Sequence, residues 1–173
     1  AKTASCGPPV ARCLRCRQPL VDGLVSHRFP PSWRRCATPT TAEMAWYLDT
    51  SALVKLVVAE QETRPLEKWL RSHLAVVSSD LTRTELMRAV RRAAPDAMVR
   101  ARQVLDGVAL LALSTAVCER AALLDPALLR SLDALHLAAA LQLGDALDGV
   151  VTYDHRLATA CATHGVAVVA PTP

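Results

Sequence analysis

Five short apolar segments, separated from one another by stretches with helical spacing, follow Met44. The segments are residues 47–48, 74–77, 110–113, 150–151 and 166–169. Strands that alternate with helices favour a parallel sheet, because each parallel connection must cross over the sheet and has room for a helix. Parallel sheets are buried on both faces, so we predict an α/β fold in three layers, with helices on both sides of a central parallel sheet. At 173 residues, the length favours one domain with a substantial core.

Residues 1–43 differ from the rest of the chain in composition and charge. They hold four of the six cysteines, with seven basic and two acidic residues for a net charge of +5, whereas 13 basic and 14 acidic residues give residues 44–173 a net charge of −1. We expect residues 1–43 to be an extension that is not native to the domain, such as translated upstream sequence, because Met44 directly precedes the first strand. Alternatives are a basic arm that binds RNA phosphates and a small zinc site formed by Cys13, Cys16, Cys36 and His27.

An aspartate follows the first apolar segment at the point where a helix begins. Tyr47 and Leu48 end the predicted strand, Asp49 comes next, and Thr50 and Ser51 open a helical stretch. Ligand sites of open α/β sheets lie at the carboxyl ends of the strands, where this carboxylate is expected. An aspartate before Thr-Ser is also typical of an ordinary turn or helix cap, so Asp49 alone does not identify a site.

Two later aspartates strengthen the interpretation of Asp49 as part of a site. Asp154 follows the apolar segment 150–151 after the hydroxyl residue Thr152, which repeats the arrangement around Asp49. Asp133 lies near the start of a helical stretch that is apolar nearly all round. Burying a carboxylate there without a partner would be costly, which indicates a functional role.

Glu85 is a fourth acidic candidate, on a helix that Ser79 or Asp80 is expected to cap. Residues four positions away on either side are apolar, so the carboxylate lies beside an apolar helix face. The alternative is a surface glutamate paired with Arg88, three residues further on.

Four segments place these acids in order along the chain: Leu48-Asp49-Thr50-Ser51-Ala52-Leu53, Thr84-Glu85-Leu86, Ser131-Leu132-Asp133-Ala134-Leu135-His136 and Thr152-Tyr153-Asp154-His155-Arg156-Leu157. Together they resemble the acidic motifs of PIN-domain ribonucleases, in particular the VapC toxins of bacterial type II toxin–antitoxin systems. The resemblance covers residues 44–173 and implies a PIN-like three-layer α/β/α sandwich.

The resemblance implies a metal-dependent endoribonuclease that acts as a toxin. Phosphodiester hydrolysis needs a nucleophilic water and stabilisation of developing negative charge, both of which divalent ions supply. Mg²⁺ and Mn²⁺ prefer oxygen ligands, which suits carboxylates. The implied catalytic and metal-binding residues are Asp49, Glu85, Asp133 and Asp154. Thr152 and Ser51 are the expected supporting hydroxyls, and each could instead be a structural cap.

The resemblance also implies an RNA substrate, a cognate VapB-like antitoxin that covers the acidic cleft, and a homodimer. The helical stretches 52–58 and 63–73, with Trp69, are candidates for either protein interface. Candidate RNA-binding residues, which could equally form a solvated helix face, are Arg83, Arg88, Arg91 and Arg92. The alternative function is a catalytically silent PIN-like scaffold that binds RNA or protein.

The remaining expectations concern single residues and the compartment. His136 either meets substrate or is hydrogen-bonded within its helix, and His155 is expected to be solvated. Cys118 and Cys161 are predicted to be buried and reduced. No secretory signal or apolar run of membrane-spanning length is present, so we expect a bacterial cytoplasmic protein that has no membrane partner.

Overall fold

Five parallel strands form one sheet in the order β3-β2-β1-β4-β5 in the computed structural model, which describes residues 44–173. The zinc site and basic arm considered for residues 1–43 lie outside the described residues. The strands are β1 (Ala45–Leu48), β2 (Val76–Ser79), β3 (Ala109–Leu111), β4 (Leu147–Val151) and β5 (Val168–Val169). The predicted α/β fold with a central parallel sheet is therefore confirmed.

Helices cover both faces of this sheet. They are α1 (Thr50–Val57), α2 (Thr63–Ser72), α3 (Leu81–Ala93), α4 (Met98–Asp106), α5 (Thr115–Ala122), α6 (Ser131–Ala140) and α7 (His155–Thr163), with 3-10 helices at Pro95–Ala97 and Leu141–Ala146. Within the described range, no helix is long and apolar enough to cross a membrane.

Alternate residues of the central strand β1 supply the two halves of the core, because successive side chains of a strand point to opposite faces. Tyr47 packs in a cluster with residues of α5, α6 and α7. Leu48 packs in the other cluster, with residues of α1, α3 and α4. The sheet is thus buried between two helical layers, as predicted.

The pairing of β1 with β4 positions the acidic residues that follow these strands. Leu48 lies beside Val151 in the parallel register, and the Asp49 amide donates to the Val151 carbonyl at 3.2 Å. The chain leaves β1 towards β2 on one side and returns to β4 on the other. Asp49 and Thr152 therefore meet where the strand order reverses, a usual place for ligand sites in open α/β sheets.

The predicted position of the second strand was wrong by two residues. The apolar run predicted residues 74–77, whereas β2 spans Val76–Ser79 and Leu74 is exposed. Ser78 and Ser79 are fully buried because both find partners across the sheet. The Ser78 hydroxyl donates to the Leu48 carbonyl at 2.7 Å, and the Tyr47 hydroxyl donates to Ser79 at 2.9 Å.

The expected side-chain cap of α3 was also wrong. Ser79 lies within β2, and Asp80, which directly precedes α3, makes no capping hydrogen bond with its side chain. The Asp80 carboxylate instead accepts from the Arg83 guanidinium at 3.2 Å. The first turn is instead held by Thr82, which is buried and has its hydroxyl 2.7 Å from Oγ of Ser78.

Gly149 allows close packing of β4 against its neighbours. A Cβ atom at this position would lie 2.6 Å from the Ala167 carbonyl oxygen and 2.6 Å from Cζ3 of Trp46. The carbonyl is held in place because it accepts from the Val150 amide at 2.8 Å. A side chain at residue 149 therefore meets backbone that cannot move freely.

We expect Gly149→Ala to lower the free energy of unfolding by about 1–3 kcal/mol, the usual cost of overpacking a core. Urea denaturation monitored by circular dichroism measures this loss. A second substitution, Trp46→Leu, is expected to recover only part of it, because the Ala167 carbonyl remains. Unchanged stability of the single variant would show that the strands separate at no cost.

Candidate active site

Asp49 is buried at the carboxyl end of β1, with 4% of its surface exposed. Its Oδ1 accepts from the Ser51 hydroxyl at 2.6 Å and from the Ala52 amide at 3.1 Å. Its Oδ2 accepts from the Thr152 hydroxyl at 2.5 Å. Asp49 is thus both the N-cap of α1 and a carboxylate held rigidly by three donors.

Ser51 and Thr152 connect this carboxylate to the turn after β4. The Ser51 hydroxyl accepts from the Tyr153 amide at 2.8 Å, and the Thr152 hydroxyl accepts from the Asp154 amide at 3.0 Å. Because each hydroxyl accepts a backbone N–H, its own proton is directed to Asp49. The alternative in which Ser51 is a helix cap is wrong, because Asp49 caps α1 and Ser51 links two strand ends.

Glu85 reaches the same region from α3. Its Oε2 accepts from the Thr50 hydroxyl at 2.5 Å and is 2.7 Å from Nε2 of His136. Burial alone raises the pKa of this carboxyl, but the hydrogen bonds from His136 and Thr50 outweigh burial and lower the pKa below its ordinary value. Glu85 makes no ion pair with Arg88 among the described residues, so the surface pairing considered above does not form.

Asp133 lies in the first turn of α6 and carries a buried oxygen without a partner. Its Oδ2 is inaccessible to solvent and accepts no hydrogen bond from residues 44–173. Burial, followed by the negative charge of Asp154, raises the pKa of Asp133. A carboxylate that is desolvated, repelled and unpartnered is costly for the fold, and this cost would be offset by a cation.

Asp154 caps α7, and its charge acts on Asp133. Its Oδ1 accepts from the Arg156 amide at 2.7 Å and from the Leu157 amide at 3.4 Å. Its Oδ2 accepts no hydrogen bond from the described residues. One oxygen of Asp154 therefore has a structural role, and the other is uncommitted.

The four acids form two connected subgroups. Hydrogen bonds join Asp49 to the backbone of Asp154 through Thr152, and charge repulsion couples Asp154 to Asp133. Glu85 is reached separately, through Thr50. Within residues 44–173, no group of three or more acidic, histidine or cysteine side chains lies close enough together to hold a metal ion directly.

Cations near the acids include two that sequence reasoning missed. Arg130 precedes α6 and Arg156 lies in the first turn of α7; both are exposed, and both oppose the rise in the pKa of Asp133. The segment Thr152–Leu157 already contained Arg156, but its proximity to Asp133 depends on the packing of α6 against α7. The four predicted arginines on α3 are all exposed, and one of them, Arg83, is paired with Asp80.

Four other single-residue expectations, for two histidines and two cysteines, have clear outcomes. His136 is buried and hydrogen-bonded, with Nδ1 2.8 Å from the Tyr47 hydroxyl, and His155 is exposed. Cys161 is buried as predicted, and burial raises the pKa of its thiol to about 12. The prediction for Cys118 was wrong: it is exposed, because α5 packs inward through Val117 and Ala121 and leaves the next position facing solvent.

Comparisons with known proteins identify the family of this chain. The family model described as PIN domain matches residues 46–162. A curated relative, Ribonuclease VapC47 of Mycobacterium tuberculosis (strain CDC 1551 / Oshkosh), is 45% identical over 130 residues, which cover 72% of this chain and 96% of the relative. Another, Ribonuclease VapC46 of Mycobacterium tuberculosis (strain ATCC 25618 / H37Rv), is 44% identical over 127 residues, which cover 73% of this chain and 98% of the relative.

A solved structure shows the same fold. The structure described as "Toxin-antitoxin complex from Klebsiella pneumoniae" matches with a TM-score of 0.51 and 24% sequence identity, covering 62% of this chain and 85% of that chain. The family match over most of the described residues, together with relatives aligned over nearly their whole length, is decisive. The chain therefore belongs to the PIN-domain family, and within it to the VapC ribonucleases.

Proposed function

We propose that the protein is a metal-dependent endoribonuclease, the toxin of a type II toxin–antitoxin system. The observation that carries this proposal is a set of uncommitted carboxylate oxygens at the point where the strand order reverses. They are Glu85 Oε1, Asp133 Oδ2 and Asp154 Oδ2, none of which accepts a hydrogen bond from residues 44–173. The ribonuclease names of relatives at 44–45% identity support the same activity.

These residues fit Mg²⁺ or Mn²⁺. The donor set consists of oxygens, which both ions prefer, and the buried, unpartnered Asp133 Oδ2 has the environment of a ligand. The negative charge of Asp154 adds to the cost of an ionised Asp133, and a bound cation would reduce that cost. Asp49, Glu85, Asp133 and Asp154 would hold the ion directly or through water, with Thr152 and Ser51 fixing Asp49.

When bound, a divalent ion supplies Lewis acidity and lowers the pKa of a coordinated water. The residues of this chain supply the geometry. Thr152 and Ser51 fix both oxygens of Asp49, so that carboxylate does not need to reorganise when substrate binds. The turn after β4 holds Asp154 in register with Asp49 through the same two hydroxyls.

The proposed partners follow from the same surface. An RNA strand must approach a cluster of negative charge, so cations are needed at its rim. Arg130 and Arg156 are exposed cations whose charges act on Asp133. We assign them to the RNA phosphates in preference to the arginines of α3, which are Arg83, Arg88, Arg91 and Arg92. Because its target is bacterial RNA, we place the toxin in the cytoplasm.

A cognate VapB-like antitoxin and a second copy of the chain complete the proposal. Trp69 on α2 is partly buried, stacked on His73 with ring centroids 3.9 Å apart and edge-on to Trp46 at 5.1 Å. This aromatic group gives the α2 surface a rigid apolar margin. The surface suits either protein partner, and antitoxin binding would cover the acids.

The first prediction of this proposal concerns cleavage. The full chain, free of antitoxin, is expected to cut a total bacterial RNA pool into discrete fragments with Mg²⁺ or Mn²⁺ and not with EDTA. Asp49→Asn is expected to abolish cutting, because an amide cannot accept all three hydrogen bonds and loses the charge that a cation needs. Fragment patterns on sequencing gels measure the activity.

Asp145→Asn is the matched control, since it removes the same charge at an exposed position and should leave cleavage unchanged. Absence of cleavage by the folded, unsubstituted protein with either metal, accompanied by RNA or protein binding, would favour the silent scaffold instead. Equal cleavage with EDTA would contradict the metal-dependent mechanism.

The second prediction concerns the arginines beside Asp133. In an Asp49→Asn background, Arg130→Ala and Arg156→Ala should each weaken binding of single-stranded RNA. Each should also reduce the slope of log affinity against log salt by about 0.7, the value for one lost phosphate contact. Fluorescence anisotropy in a salt series measures both quantities. Arg102→Ala, at an exposed position on α4, is the control, and an equal loss in that variant would contradict the assignment.

The third prediction concerns the charge of Asp133 in metal-free protein. A carboxyl whose pKa is raised on folding destabilises the fold increasingly as the pH rises from the ordinary value through the raised one. Asp133→Asn should therefore raise the metal-free melting temperature at neutral pH, by about 2–4 °C for each kcal/mol gained in the free energy of unfolding. The same substitution should abolish cleavage, because it removes a proposed metal ligand. Thermal unfolding with EDTA measures this shift.

The same charge argument supplies a partner variant and a control. Asp154→Asn should also relieve the repulsion, since asparagine still caps a helix well, whereas Asp145→Asn should change little. A lower melting temperature for Asp133→Asn would show that Asp133 makes a stabilising contact that outweighs the repulsion.

A further inference from the structure

A series of hydrogen bonds connects buried polar side chains of the core to Glu85. Tyr47 and His136 are almost fully buried, with 0% and 4% of their surfaces exposed. The Tyr47 hydroxyl donates to Ser79 at 2.9 Å and is 2.8 Å from Nδ1 of His136. Nε2 of His136 is 2.7 Å from Oε2 of Glu85. These hydrogen bonds therefore link β1, β2, α6 and α3.

Core packing alone does not account for this series of hydrogen bonds. His136 lies among the buried apolar residues Leu137, Ala138, Ala139 and Ala140 of α6. Burying polar groups is costly unless each is hydrogen-bonded, and apolar residues of similar size would fill the same space without that requirement. Each of these side chains has a hydrogen-bond partner within 2.9 Å, and the last partner is Glu85, an acid of the proposed site.

Both hydrogen bonds to Glu85 fall on the same oxygen. Oε2 accepts from Thr50 and from Nε2 of His136, and a carboxylate only accepts, so the imidazole donates here. Oε1 accepts nothing from the described residues. Two donors from different elements thus fix the rotation of the carboxylate and leave one oxygen available.

We propose that His136, itself held by Tyr47, is a positioning residue that orients Glu85 so that Oε1 is available to a divalent cation. This inference rests on the proposed function and adds a role that the acidic motifs do not assign. Replacing a residue that orients a metal ligand typically lowers metal affinity or activity by about 10- to 100-fold. The lowered pKa of Glu85, to which the His136 hydrogen bond contributes, is consistent with this role.

Two amide substitutions separate the two contacts of the imidazole. Gln at 136 places its amide nitrogen near the position of Nε2 and can still donate to Glu85. Asn at 136 reaches only the position of Nδ1, so it can contact Tyr47 but not Glu85. We expect His136→Asn to weaken Mn²⁺ binding by about 10- to 100-fold. His136→Gln keeps the donor to Glu85 and loses only the contact with Tyr47, so it should weaken binding by about 3-fold or less.

The measurement is Mn²⁺ titration of the full chain by electron paramagnetic resonance, with RNA cleavage at varied Mn²⁺ and the metal-free melting temperature measured in parallel. A positioning role predicts that cleavage by His136→Asn recovers at high Mn²⁺. If that variant does not fold, Tyr47→Phe, which removes one oxygen atom, should weaken Mn²⁺ binding in the same direction.

The outcomes separate this inference from the proposed function. Equal Mn²⁺ affinity in the unsubstituted protein, His136→Asn and Tyr47→Phe, with normal cleavage, would overturn the positioning role alone. Absence of both Mn²⁺ binding and cleavage in the unsubstituted protein would overturn the proposed function and the positioning role together. Equal losses of Mn²⁺ affinity in His136→Asn and His136→Gln would overturn the positioning role alone, because only His136→Asn removes the donor to Glu85.

Discussion

The three hydrogen bonds accepted by Asp49 are the interaction on which the rest of the site depends. They come from Ser51, Ala52 and Thr152, so one buried carboxylate caps α1 and joins the ends of β1 and β4. The hydroxyls of Ser51 and Thr152 also accept hydrogen bonds from backbone amides of the turn that carries Asp154. The relative placement of two strand ends, and hence of two acids, therefore follows from satisfying one buried carboxylate.

The acids differ in how far the protein itself satisfies them. Asp49 is fully engaged, Glu85 and Asp154 each commit one oxygen, and Asp133 leaves a buried oxygen unpartnered. The acids therefore differ in how many of their oxygens are available to a ligand. The fully engaged carboxylate provides rigidity, whereas the others retain oxygens without a partner, and Asp133 and Asp154 also repel each other. Under the proposed function, stability and function are opposed at Asp133 and aligned at Asp49.

Much of the fold was predictable because the apolar segments follow the periodicity of a parallel α/β sheet. All five strands were predicted from the sequence, although β2 lies two residues later than predicted. The error has a local cause, since buried Ser78 and Ser79 look like turn residues until their partners across the sheet are known. The exposed side of α5 at Cys118 was missed for a similar reason, because a short helix with several small residues shows its inward face only after packing.

The sequence by itself determined the fold class, the family resemblance and the identity of the four acids, because spacing and residue type are local properties of the chain. Tertiary structure alone decided which oxygen of each acid is committed, that Thr50 and His136 share Oε2 of Glu85, and that the charge of Arg156 acts on Asp133. These contacts join residues that lie far apart in the sequence, such as Thr50 and His136. They depend on the register of β1 with β4 and on the packing of α6 against α7, and no local pattern encodes those distances.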